Sequence, residues 1–139
     1  MEVTLLLCDW AESINGKLYI LGGGWSRMAA NLPIPVALAI KLGIPWDQAN
    51  RQIPFKAELV TEDGQSVVIN ETPVMLEGEI EVGRPPGTRP GSTLDAVLSI
   101  RFPALALQKG AYTWIFQADN KEAGRVSFEA IDVPKGGSL

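Results

Sequence analysis

The sequence predicts an all-β protein, a single antiparallel β-sandwich of about eight or nine strands, immunoglobulin-like or jelly-roll in type. Three observations predict it. Apolar residues recur with a period of two along almost the whole chain, the pattern of a strand with one buried face. About nine such runs are separated at the spacings usual in sandwiches and barrels. The run from Leu107 through Gly110 to Tyr112 resembles a tyrosine corner, in which the hydroxyl bonds back to nearby backbone at a sandwich edge.

In the first run Val3, Leu5 and Leu7 alternate with Glu2, Thr4 and Leu6, and Cys8 ends the apolar stretch. Asp9 follows, and its short polar side chain suits capping a turn over residues 11–15 through local amides. Leu18 and Ile20 then alternate with Lys17, Tyr19 and Leu21. Next comes the most informative segment, Gly22, Gly23, Gly24, Trp25, Ser26 and Arg27. Glycine serves where the backbone takes positive φ or another group comes close. A phosphate cradle would need a helix start and usually a lysine after the glycines, whereas here Pro33 and Pro35 prevent a long helix. The segment therefore reads as a bulge or sharp bend between two strands, with Trp25 packed over the bare backbone.

Val36, Leu38, Ile40 and Leu42 form one face of the next run, opposite Ala37, Ala39 and Lys41. Residues 45–50 suit a single helical turn with Pro45 at its first position. Phe55, Ala57 and Leu59 alternate with Lys56 and Glu58, and residues 62–65 make a hairpin turn into Val67, Val68 and Ile69. Glu77, Glu79 and Glu81 alternate with Gly78, Ile80 and Val82. The prolines of residues 84–91 remove ladder donors, so that segment is an exposed loop with polyproline character. Leu94, Ala96, Leu98, Ile100 and Phe102 make the longest clean alternation. Tyr112, Trp114 and Phe116 face away from Thr113, Ile115 and Gln117, and residues 119–122 turn into Val126, Phe128 and Ala130. Residues 1–133 are expected to form one domain and residues 134–139, without apolar pattern, a mobile tail.

The 139 residues suit one domain, able to bury roughly 70% of the surface its unfolded chain exposes. A net charge of −4 argues against nucleic acid and against an anionic membrane surface. The only tight basic feature, Arg84 with Arg89, is too small for either. With one cysteine no intramolecular disulfide forms, and Cys8 reads as a buried core thiol. No apolar run approaches the ~20 residues of a membrane span, and the start at Met1-Glu2 has no basic leader pattern. A cytoplasmic location is expected.

Histidine is absent, which removes the commonest general acid–base, the histidine-dependent nucleophile pairs and the commonest transition-metal ligand. No metal site, no cofactor and no catalytic residue is expected. Glu77, Glu79 and Glu81 share a strand face at roughly 7 Å intervals. That spacing suits glycoside hydrolysis, yet also an ordinary solvated face. Asp47, Asp63, Asp119 and Asp132 lack a calcium-loop context.

Residues 6–9, 16–25, 44–50 and 81–87 (LLCD, GKLYILGGGW, IPWDQAN and EVGRPPG) resemble segments of small bacterial proteins grouped as a domain of unknown function and frequent in actinobacteria. The resemblance runs from Leu5 to about Phe128 and implies a bacterial intracellular protein; it implies no activity.

The expected role is a non-enzymatic binding or assembly module that self-associates, with a protein partner as a further possibility. Large apolar residues on nominally outward faces, Leu6, Leu21, Val60, Val68, Val97, Ile115 and Ile131, call for a second burial surface. Candidate contact residues are Gly22, Gly23, Gly24, Trp25, Arg27, Trp46, Arg84 and Arg89. The alternative is a small-ligand or carbohydrate binder using Trp25 and Trp46; convergence of those rings with Arg27 on one concavity would favour it.

Overall fold

A computed structural model describes residues 1–133; the expected mobile tail, residues 134–139, lies outside the described residues. The chain is all-β. Its strands are β1 (Glu2–Ile14), β2 (Lys17–Gly23), β3 (Arg27–Ala29), β4 (Ile34–Ile44), β5 (Ile53–Thr61), β6 (Val68–Ile69), β7 (Thr72–Pro73), β8 (Met75–Ile80), β9 (Leu94–Leu105), β10 (Gly110–Ala118) and β11 (Lys121–Ile131), with one 3-10 turn at Trp46–Gln48. The expectation of about eight or nine strands, which included the run at residues 67–69, missed β3 and β7, because two or three residues carry no readable alternation. Among the described residues no helix is long and apolar enough to cross a membrane.

Two main sheets share one core. The first has the order β2-β1-β4-β9, the second β3-β11-β10-β5-β8, and β6 pairs with β7 separately. All pairs are antiparallel except β3 with β11, where Arg27, Met28 and Ala29 run parallel to Glu129, Ala130 and Ile131. The expected purely antiparallel arrangement therefore fails at this edge, where the chain leaves the first sheet and enters the second alongside its last strand.

The alternating residues of the central strands are the ones buried. Leu38, Ile40 and Leu42 of β4 meet Leu59 of β5 and Trp114 and Phe116 of β10 in one cluster. Phe102 of β9 stacks on Trp114 at 5.3 Å between ring centroids, a contact that joins the two sheets. The Tyr112 hydroxyl donates to the Gln108 carbonyl at 2.7 Å, the back-bond of a tyrosine corner.

The first sheet is curled. The other face of β4 presents Ala37 and Ala39, which are buried with Cys8, Ala11 and the half-buried Leu18 in a second, smaller cluster. Such small side chains let the β1–β2 hairpin bend in until β2 comes near β9. The Ser13 hydroxyl donates to the Val97 carbonyl across the gap at 3.3 Å. Asp9 and Trp10, both exposed in succession, interrupt the inside–outside alternation of β1. Asp9 does not cap a turn over residues 11–15, because β1 continues as far as Ile14. The hairpin turns instead at Asn15 and Gly16, with φ of +50° and +75°. Positive φ at both central residues is what a two-residue Asn-Gly hairpin loop requires.

Candidate functional site

The β1–β2 hairpin leaves an apolar surface open. Of ten exposed large hydrophobic residues among the described residues, six lie on it: Leu6, Trp10, Ile14, Tyr19, Ile20 and Leu21. Tyr19 is 55% and Leu21 67% exposed, so the alternation in β2 does not mark a buried face as in the central strands. Trp10 pairs with Leu21, and Glu12 with Tyr19, in the cross-strand register. These side chains and Ile20 line a cleft of about 330 Å³. The Arg101 guanidinium sits 4.6 Å over the Trp10 ring and 3.6 Å from Glu12, holding that indole in place. β2 is an edge strand with β1 as its one paired neighbour. Protein edges are ordinarily blunted by charge, proline, bulges or cover; β2 has a single charge, Lys17, at its start. Of the outward apolar residues read from the sequence, Leu6, Leu21 and Val68 are exposed and Val60 is buried, while Val97, Ile115 and Ile131 are half-buried.

The glycine corner is built from backbone geometry rather than an inserted residue. The β1–β2 register passes unshifted from Trp10↔Leu21 to Cys8↔Gly23, so the expected bulge is absent. The bend comes from Gly22 and Gly24, at φ +60° and +90°. A methyl group on Gly22 would overlap the Asp9 carboxylate, whose Cγ lies 2.7 Å from that position. The missing side chain is thus the berth of Asp9. At Gly23 a methyl would come within 3.0 Å of Ile20. The Gly24 amide donates to the Leu7 carbonyl at 2.8 Å and anchors the exit.

Trp25 meets Phe128 edge-on, 5.8 Å between centroids, rather than lying over the glycines. Its indole N–H is buried without an acceptor. Trp25 and Arg27, with Asp9, Met28, Ala29 and Ile34, line a cleft of about 300 Å³. Among the described residues neither Asp9 nor Arg27 belongs to an ion pair.

Trp46 does not join this cleft. It follows the far end of β4, while Ile34 at the near end lines the Trp25 cleft; the length of β4 separates them by roughly 30 Å. The convergence of Trp25, Trp46 and Arg27 does not form, although Trp25 and Arg27 do come together. Trp46 is engaged by Arg84, whose guanidinium lies 4.4 Å over the ring and donates to the Trp46 carbonyl at 2.7 Å. Arg84 therefore clamps the proline loop to the 3-10 turn. Arg89 is exposed, and its carbonyl accepts from the Ser92 hydroxyl at 2.6 Å.

The remaining acids stay apart. Glu77 and Glu79 are exposed on β8 and border a groove of about 480 Å³ with Lys56, Gln117 and Asn120, while Glu81 lies beyond the strand. Asp119 accepts from Arg51 at 2.7 and 3.4 Å, and that guanidinium holds its carboxyl below the usual carboxylate range. Asp132 lies 3.4 Å from Lys109. Cys8 is buried, and burial pushes its thiol up.

Two features of these surfaces escaped the sequence reading. One is the exposed hairpin, whose signal was the Asn15-Gly16 pair. The other is Asp9 as a wall of the Trp25 cleft, a position set by Gly22 across the strand pair. The model of one protein family, DUF6941, a family of unknown function, matches residues 3–131. No curated protein matches the chain.

Proposed function

We propose that this chain, which belongs to the DUF6941 family of unknown function, is a non-enzymatic binding and assembly module that self-associates through the β1–β2 hairpin. One observation carries this reading: an edge strand with Tyr19 and Leu21 more than half exposed, beside Trp10 and Ile14. Pairing such an edge with a second copy satisfies its backbone and covers its apolar side chains together. The same reading takes the two main sheets as leaves of one sandwich, which their shared core supports. It also places the protein in the bacterial cytoplasm, where a single reduced thiol such as Cys8 is at home.

Light scattering of the purified protein at micromolar concentration tests the assembly. The expected result is a dimer or larger species that Leu21→Lys or Tyr19→Lys converts to a folded monomer. A native monomer of 15.0 kDa that does not change with concentration or salt would overturn it.

A further inference from the structure

The Asp9–Arg27 cleft offers a second chemistry, separate from the hairpin surface. It has an acid, a guanidinium and an apolar floor. Asp9 and Arg27 border the same space of about 300 Å³, and neither is in an ion pair among the described residues. Opposite charges sharing a cleft without closing on each other leave room for a molecule that bears both complementary charges. The positions of both residues are set by the strands that carry them. Asp9 sits where Gly22 lacks a side chain. Arg27 begins β3, which is fixed to β11 by parallel pairing and by the Glu129 amide donating to the Ser26 carbonyl at 2.9 Å. Trp25 and Ile34 are half-buried and supply the apolar surface of the cleft.

We infer that this cleft binds a free α-amino acid with an apolar side chain, its ammonium at Asp9, its carboxylate at Arg27 and its side chain against Trp25 and Ile34. A guanidinium matches a carboxylate with two parallel hydrogen bonds. The volume lies at the small end of ligand pockets and suits a molecule of roughly ten non-hydrogen atoms. A neutral sugar has no charges for Asp9 and Arg27 to meet, and Trp46, the second ring such a site would use, is at the far end of β4.

Titration of the full chain with L-leucine, followed by amide chemical shifts, tests the inference. 4-Methylpentanoate lacks the ammonium and 3-methylbutylamine lacks the carboxylate. Leucine is expected to saturate, with shifts centred on residues 9, 22–29 and 34. Each half-molecule should bind roughly tenfold or more weakly, since each loses one charge-assisted contact. Arg27→Gln should reduce leucine to the affinity of the amine, and Asp9→Asn to that of the acid. Arg27 is exposed, so its variant keeps the test available if Asp9→Asn fails to fold. No saturable shifts at tens of millimolar, or equal binding of leucine and either half-molecule, would overturn the inference. Oligomeric state plays no part in this readout, so it is decided independently of the assembly proposal.

Discussion

Gly22 shows how one missing side chain shapes a surface. At φ +60° an L-residue is strained, and a methyl group would also overlap Asp9. Gly24, at φ +90°, has open space where its side chain would be. Gly22→Ala is therefore expected to cost about 1–3 kcal/mol, and Gly24→Ala about 1 kcal/mol, from backbone strain alone. Thermal unfolding of both variants checks the order. Adding Asp9→Ala to Gly22→Ala should return the steric part and leave the φ part, a coupling measured by a double-mutant cycle. Equal melting temperatures for native protein and Gly22→Ala would refute this account of the corner.

Among the elements, the 3-10 turn is tied to the rest of the molecule at two points. Arg84 holds the proline loop against Trp46. Arg51 links Gln48, at 3.1 Å, to Asp119 in the β10–β11 turn. Asp119 has its carboxyl lowered by the hydrogen bond to Arg51, and Glu122 likewise by Arg125. A lowered folded value contributes stability above the unfolded carboxylate range and loses it as pH falls through the folded value. The destabilisation by Arg51→Ala should thus be largest at neutral pH and shrink below about pH 4 to the part owed to the Gln48 hydrogen bond, which does not titrate. Melting curves across that range check it; a difference independent of pH would show that the Asp119 pairing contributes nothing. The β1–β2 hairpin is the opposite case, an element that leaves Tyr19 and Leu21 more than half exposed.

At the scale of the whole molecule the two sheets approach closely where β11 carries Gly124. A methyl group there would overlap Val3 of β1 in the other sheet. Neither strand can move without disturbing the buried clusters beneath it, so Gly124→Ala should cost about 1–3 kcal/mol through overpacking. Val3→Ala in the same chain should recover part of that loss. If Gly124→Ala alone leaves the melting temperature unchanged, the sheets have more freedom to separate than their shared core indicates. On the outer side of the first sheet, Ala37, Ala39, Cys8 and Ala11 set a second constraint, because only small residues let the hairpin curl over β4.

The all-β class, the central strands and the faces they bury were legible in the sequence. Period-two alternation is a local property, and in β4, β9 and β10 the tertiary structure buries the face it marks. The tyrosine corner and the irregular glycine segment were legible for the same reason, since both are written in consecutive residues. Alternation in β2 was equally clear and Tyr19 and Leu21 do point outward, yet Ile20 on the opposite face stays exposed as well, because a strand's pattern does not say whether it lies at the centre or the edge of a sheet. Asn15-Gly16 carried a hairpin signal that the sequence reading passed over, and where that hairpin lies depended on the alanines of β4. The meeting of Asp9 with Arg27, and the distance between Trp25 and Trp46, depend on strand order and strand length. Those are decided by which sheets pack together, and only the tertiary structure could settle them.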